Sequence, residues 1–569
     1  MTPPDHKTDS PGGFVAWLAA LFLTVLGAKL WVVQLFGSPL PLWDQWYEAK
    51  DFFRPWMEGS STWRDFFAAS NEHRIFFTHL LDVIVISLNG RWEPMLQMTI
   101  NCLIHAGFAC ALAAALWIFL GRRNSWLICG LLAPFYALPY AAENTIWAIN
   151  SQQYFLSLAA LTAIAGLGFG KAGSARWWLG LAAAFAGLVT MASGFLAPVT
   201  VGGLMILRAI KNRRMDRGDL VTLGLCAGVV ALGAALTVSM PGDLSLRAHT
   251  PGEFFDALRR NLAWPFIQNP KMMCIVTLLP LVLLLGFYFR KQFAESRAAE
   301  FLLALGLWSA LQSTAIAFGR ANYGDASFPA SRYMDVFNVF VIAGIFAMLL
   351  LQQQWTGAGG FKPIAPLLPL ALAAVMLFNI GKISQIVVEQ LLMPTRLSNL
   401  IAEERVETFM ATGNEKELFA APTVRPDPKV VLAVLQNEKL RPILPGICQP
   451  PDKRPPPYRL MLPTEFLWQN AQIILAAGLT LFTLLCGLGL TRGTLGLSRM
   501  NLSGIILLLV VLTALGFVWS RNATTRQTVE FDQQCQLVEY FQAHDNPKRA
   551  ANHAAKAEEL KAGTGGRMQ

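Results

Sequence analysis

The sequence predicts an all-α polytopic membrane protein, on three observations. Hydrophobic residues make up 54% of the 569 and charged residues only 14%, with a mean hydropathy of +0.43. Apolar runs of about 20 residues, the length that crosses a bilayer as a helix, recur along the chain. Basic residues gather at every second connection between those runs. A soluble fold is excluded by this composition.

The first run, 13–37, is too long for a signal-peptide core and has no small-residue cleavage pattern behind it, so it reads as a retained transmembrane helix. Further spans are expected near 94–120, 126–142, 153–170, 177–192, 194–210, 220–240, 272–289, 301–318, 333–351, 364–383, 466–490 and 502–520, about thirteen in all. Arg122 and Arg123, Lys171 and Arg176, Arg208 to Arg217, Arg290 to Arg297, and Arg492 with Arg499 mark one side as cytoplasmic. The N-terminus then lies inside, and 38–93, 143–152, 241–271, 319–332, 384–465 and the tail after Ser520 lie outside. On that reading the net charge of +10 reflects topology and attraction to lipid headgroups, and no nucleic-acid partner is implied.

Four regions follow. Residues 1–383 form a transmembrane block, with surface helices in its first outer loop (38–93); 384–465 form a small Pro-rich outer domain; 466–520 hold two more spans; 521–569 form an outer tail. In the Pro-rich domain, 395–412 and 427–438 carry helical spacing, whereas Arg441–Pro445 and Arg454–Pro457 are expected to be extended. The tail should hold a helix over 529–544 and then an Ala/Lys/Glu-rich run with a disordered end. Six of the eight cysteines fall in apolar spans, where they pack. Cys448 and Cys535 both fall in segments assigned to an oxidising compartment, where a disulfide and two free thiols are both open readings. No Cys/His spacing of a metal site occurs.

Charge is scarce, so its clusters carry the functional reading. Asp44 follows the first span almost directly, and Glu48 is four residues on, on the same face if the segment is helical. A carboxylate beside apolar aromatics has a raised pKa and serves as a general base toward a hydroxyl; the alternative is that Trp43, Trp46 and Trp56 form an interfacial belt with the acids left in water. Asn71-Glu72-His73-Arg74 opens an amphipathic stretch to Leu88, too short to cross and suited to lie along the surface. Arg320, Arg332 and Tyr333 flank a Gly- and Ser-containing outer loop fit for a phosphate, or pair structurally with Asp325 or Asp335. Glu143, Asn144, Asn150 and Gln153, with Trp147 and Tyr154 as stacking faces, suit a sugar or are ordinary loop chemistry. Met191–Pro198 reads as a tight outer turn at the border of a cavity.

An acidic residue directly after the first helix, a long first outer loop with surface helices, many spans and a late exposed domain resemble the GT-C superfamily of polytopic glycosyltransferases. Asn71–Arg74 and Ser331-Arg332-Tyr333 look similar to motifs of uncharacterised bacterial members, while the familiar Asp-Glu pair stands here as Asp44-Gln45. The resemblance, over roughly 13–383, implies an enzyme of the bacterial inner membrane that moves a sugar from a polyprenyl-phosphate donor to a glycan or lipid acceptor on the periplasmic face. Asp44 would carry over as the base. Glu72, His73 and Arg74 would position substrate, no cofactor is required, and a divalent metal between carboxylates and phosphate is compatible with the residues. A transporter of lipid-linked glycans would need charges lining a path through the spans, which look nearly uncharged; a polymerase or ligase of whole glycans would use similar arginines.

Overall fold

The structure, a computed structural model, describes residues 10–122, 124–238, 240–290, 296–323, 329–355, 368–420, 426–454, 460–491, 526–544 and 546–563. Among them there is no β-strand, only an isolated antiparallel bridge between Ser70 and His73. The chain is a multi-pass helical membrane protein: ten described helices are long and apolar enough to cross a bilayer.

In chain order the helices used below are α1 (Pro11–Phe36), α2 (Asp44–Glu48), α3 (Phe76–Asn89), α4 (Pro94–Phe119), α5 (Ser125–Ala137), α6 (Ala142–Ile146), α7 (Ser151–Leu167), α8 (Ala175–Leu188), α9 (Leu196–Asn212), α10 (Arg217–Ala235), α11 (Pro251–Leu262), α12 (Pro270–Tyr288), α13 (Ser296–Arg320), α14 (Met334–Trp355), α15 (Leu368–Val387), α16 (Met393–Thr412), α17 (Pro428–Gln436), α18 (Met461–Gln469), α19 (Ala471–Thr491), α20 (Arg526–Ala543) and α21 (Pro547–Gly563). The start of α1 is written in its sequence: the Ser10 hydroxyl accepts from the Gly13 amide at 3.1 Å and Pro11 fills the first position. Opposite it runs α19, so close that a side chain at Gly27 or Gly478 would strike the partner's backbone.

Ten of the thirteen expected spans coincide with helices long and apolar enough to cross a bilayer. Segments 153–170 and 177–192 fold as α7 and α8, of 17 and 14 residues. At 1.5 Å per residue they measure about 26 and 21 Å, short of a hydrocarbon core of about 30 Å. The span expected at 502–520 lies outside the described residues.

Two faces of the block differ in charge. At one, Arg208 binds Glu300 at 2.7 Å, and the Arg176 and Arg297 guanidinium groups both lie over the Phe119 ring. At the other, the first loop and the Pro-rich segment build one lobe with a shared core: Trp46, Phe53 and Trp92 pack with Val406, Val431, Leu444 and Cys448. The Trp92 amide donates to the Ile443 carbonyl at 2.8 Å, and the Ser38 hydroxyl to Glu403 at 2.7 Å. Trp46 is thus a core residue and no part of an interfacial belt.

The boundary placed at 383–384 falls inside one continuous helix, Leu368–Thr412, which carries α15 through a π-turn at Val388–Leu392 into α16. Helices appear within both predicted stretches of the lobe, α16 and α17, but Arg441–Ile443 makes a 3₁₀ turn where extended chain was expected. In the tail, the Ala/Lys/Glu-rich run forms α21, which with α20 packs on α16 through Leu537, Phe541 and Ala550 against Ile401. Arg549 and His553 both reach Glu404. Cys448 lies in the lobe core and Cys535 on α20; both are free thiols, the second of the two open readings.

Helix α3 is amphipathic in the inverted sense. His79, Asp82 and Asn89 are buried in protein, while Leu80, Ile84 and Leu88 are exposed. Its polar side faces the lobe rather than water, which leaves an apolar outer side suited to lipid.

Candidate functional site

The chain leaves α1 at Gly37, turns through Pro39 and Pro41, and reaches Trp43 with φ 47° and ψ −112°. That conformation is strained for any residue with a Cβ, and strain of this kind persists only where the surroundings impose it. Its effect is to lay the Trp43 ring beside Trp147, centroids 6.2 Å apart, and to start α2 with Asp44.

Asp44 is half-buried, and an Asp44 carboxylate oxygen accepts from the Asn71 amide at 3.4 Å. Burial pushes its carboxyl above the usual carboxylate range and neighbouring Glu48 adds to the rise; Arg332, Asn71 and His73 work against it. Glu48 does not face the same opening. It is buried, accepts from Ser70 Oγ at 2.7 Å and meets His79 Nε2 at 2.8 Å. The prediction of two carboxylates looking one way is therefore corrected: Glu48 braces the site from below. Burial opposes the charging of His79, but Glu48, the Phe66 carbonyl and Asp82 outweigh it, so its pKa lies above the ordinary value. Behind them Gln97 donates to Asp82 and its oxygen accepts from Trp92 Nε1 at 2.7 Å and from the Gln45 amide at 3.4 Å.

The Asn71–Arg74 motif works as a tight turn. Ser70 and His73 exchange backbone hydrogen bonds of 2.8 and 3.1 Å, with Asn71 at φ 52°, a left-handed conformation that asparagine tolerates. The turn aims Asn71 at Asp44 and Glu72 at Arg320, with which Glu72 forms an ion pair. His73 Nδ1 accepts from the Ala192 amide at 3.3 Å, so the predicted turn at 191–198 does border the site. Arg74 points away, donating to the carbonyls of Leu236 and Phe67 at 3.3 and 2.8 Å as a strut.

Arg332 stands on a 3₁₀ turn, Ser331–Tyr333, ahead of α14. It pairs with Glu143 at 3.1 Å, donates to Tyr323 Oη at 3.3 Å and lies over the rings of Tyr323, Tyr333 and Trp147. The acidic partners of the two outer arginines are thus Glu72 and Glu143; Asp325 lies outside the described residues. The amides expected to hold a sugar serve the protein instead. Asn144 donates to the Arg332 carbonyl at 2.9 Å and to Asp335 at 3.0 Å, and Asn150 to the Glu143 carbonyl at 3.2 Å. Gln153 is buried at the start of α7, and of this loop Trp147 alone is partly exposed.

Sequence reading missed a polar cluster inside the spans. Leu138, held extended ahead of Pro139, ends α5, and its carbonyl accepts from fully buried Lys29 at 3.1 Å. Asp335 is nearby, 3.7 Å from His105, whose ring stacks on Tyr154. A lone lysine in an otherwise apolar run was the available signal. Among the described residues no group of three or more His, Cys, Asp or Glu side chains is arranged to hold a metal ion.

Comparison with known proteins returns no match: no family model, curated protein or solved structure is significantly similar to this chain. The site must be interpreted from its own geometry.

Proposed function

We propose that this protein is an integral-membrane glycosyltransferase that moves a sugar from a polyprenyl-phosphate donor to a cell-envelope glycan or lipid, with Asp44 as general base. One observation carries the reading: a half-exposed carboxylate of raised pKa is gathered with Arg332, Arg320–Glu72 and a Trp43–Trp147 aromatic pair at one edge of the membrane block. Asp44 takes the proton of the acceptor hydroxyl, that oxygen bonds to the anomeric carbon, and the bond from carbon to phosphate oxygen breaks. Arg332 and Arg320 offset the charge of the departing lipid phosphate, and the tryptophans offer stacking faces for a sugar. The distribution of basic residues supports an outward placement of this edge, and the resemblance to GT-C glycosyltransferases implies the periplasmic side of a bacterial inner membrane.

The test is Asp44→Asn with mass spectrometry of lipid-linked sugars and envelope glycans. The variant should fold normally, lose about 100-fold or more of its transfer rate and accumulate donor; undiminished transfer would remove Asp44 as base. Activity of the wild type should fall on the acid side at a pH above the usual carboxylate range, because the base must be ionised and burial raises its pKa. A transporter of lipid-linked glycans is the second reading. Lys29, His105 and Asp335 favour it, since they break the expectation of uncharged spans.

A further inference from the structure

Beside Arg320 lies a small pocket one of whose walls, Arg260, the reaction as drawn does not use. It opens between α11 and the end of α13, has a volume of about 30 Å³, and is lined by Arg260, Arg320, Tyr323 and Tyr333 over a floor of Ala257 and Ala317. That volume holds about two waters, enough for a small anion and too little for a sugar ring.

The cations around it are not equivalent. Arg320 is paired with Glu72, Arg332 with Glu143 and Arg259 with Asp256. Arg260, half-buried, has no hydrogen-bonding or acidic partner among the described residues, and burial without a compensating anion pushes its pKa down. An unmatched guanidinium held partly out of water at a pocket wall is stabilised when an anion joins it. Its helix is not loose. Asn261 donates to the Ser313 carbonyl at 2.9 Å, the Ala248 amide to the Phe318 carbonyl at 2.9 Å, and Asn322 to Glu253 at 2.9 Å, so α11 is fastened to α13 on both sides of the pocket. Tyr323 and Tyr333 are the same rings that flank Arg332, which makes the pocket continuous with the site.

We propose that this pocket is the seat of the donor's phosphate, with Arg260 adding an unpaired positive charge to those of Arg320 and Arg332. The inference rests on the transferase reading above. A sugar-linked lipid phosphate is a phosphodiester with one negative charge, matched by one unpaired arginine. When the sugar leaves, the phosphate becomes a monoester that takes on further negative charge near neutral pH, so the same cation holds the departing group more strongly.

The experiment measures binding of farnesyl phosphate, and separately of inorganic phosphate, to the full-length protein in detergent. Arg260→Gln should weaken farnesyl phosphate binding about tenfold or more, the loss of one charge-assisted contact. Arg260→Lys should recover part of it, and Arg259→Gln, whose arginine is already paired, should stay within about twofold of wild type. Unchanged affinity in Arg260→Gln, with an unchanged melting temperature, overturns the assignment. Equal affinity of the wild type for both ligands overturns it too, because the pocket then reads free phosphate and not a lipid headgroup. Failure of the transferase reading is seen elsewhere: Asp44→Asn would keep its transfer activity whatever Arg260 does to binding.

Discussion

Asp44 and Lys29 stand at two levels, one half-exposed near Arg332 and one fully buried near Asp335, with Asn144 hydrogen-bonded to both of those residues, and their charges are handled in opposite ways. Lys29 is fully buried and held by a carbonyl with Asp335 near it. Asp44 is half-exposed, has one long hydrogen bond to Asn71, and follows a residue in strained conformation. A buried charge with fixed partners supports structure, whereas a raised-pKa carboxyl left open toward solvent is available for chemistry.

The comparison breaks most sharply at Lys29. Lys29→Met takes away the donor of the Leu138 carbonyl and a cation near Asp335, and should cost about 1–3 kcal/mol of stability, read as a fall in melting temperature. Lys29→Met combined with Asp335→Asn should recover much of the loss, because no unmatched charge remains. A single variant as stable as wild type would show that the cluster is not structural, and would move weight to the transporter reading.

The upper level is tested at Trp43. Relief of its backbone strain in Trp43→Gly offers about 1–3 kcal/mol, against which stand glycine's added chain entropy of about 1 kcal/mol and the lost contact with Trp147. The variant should melt no lower than wild type yet transfer more slowly. Loss of stability together with activity would make Trp43 a packing residue.

The sequence showed both levels unevenly, for physical reasons. Apolar length and the Ser10 and Pro11 signals are local, so α1 and the other long spans were legible. Asp44, Asn71, Glu72, His73 and Arg332 stood out because charge is rare, and the structure brings them together. Their partners were hidden: Glu72 lies 248 positions from Arg320 and Glu143 189 from Arg332, and no periodicity reports pairing at that range. Hydropathy falls after 383, which looks like the end of a domain, yet the helix continues as a polar extension into the lobe. Helix α3 misled for a related reason. Its period gave two faces, but not that the polar one turns inward onto Glu48 and Gln97.

That inward face supplies an effect that depends on pH. Burial pushes the Asp82 carboxyl up to about 8, with Gln97 and His79 opposing and Glu48 adding to the rise. Between its ordinary value of 3.8 and about 8 the folded protein holds a proton that the unfolded chain has released, so stability should fall as pH rises through that interval and level off above it. Asp82→Asn removes the titration while leaving an amide oxygen for Gln97, so its advantage in melting temperature should be small near pH 5 and widen toward pH 8, by at most about 1.4 kcal/mol per pH unit. A constant gap across that range would mean that Asp82 is already ionised beside His79, and that the support beneath Asp44 is an ion pair rather than a neutral hydrogen-bonded network.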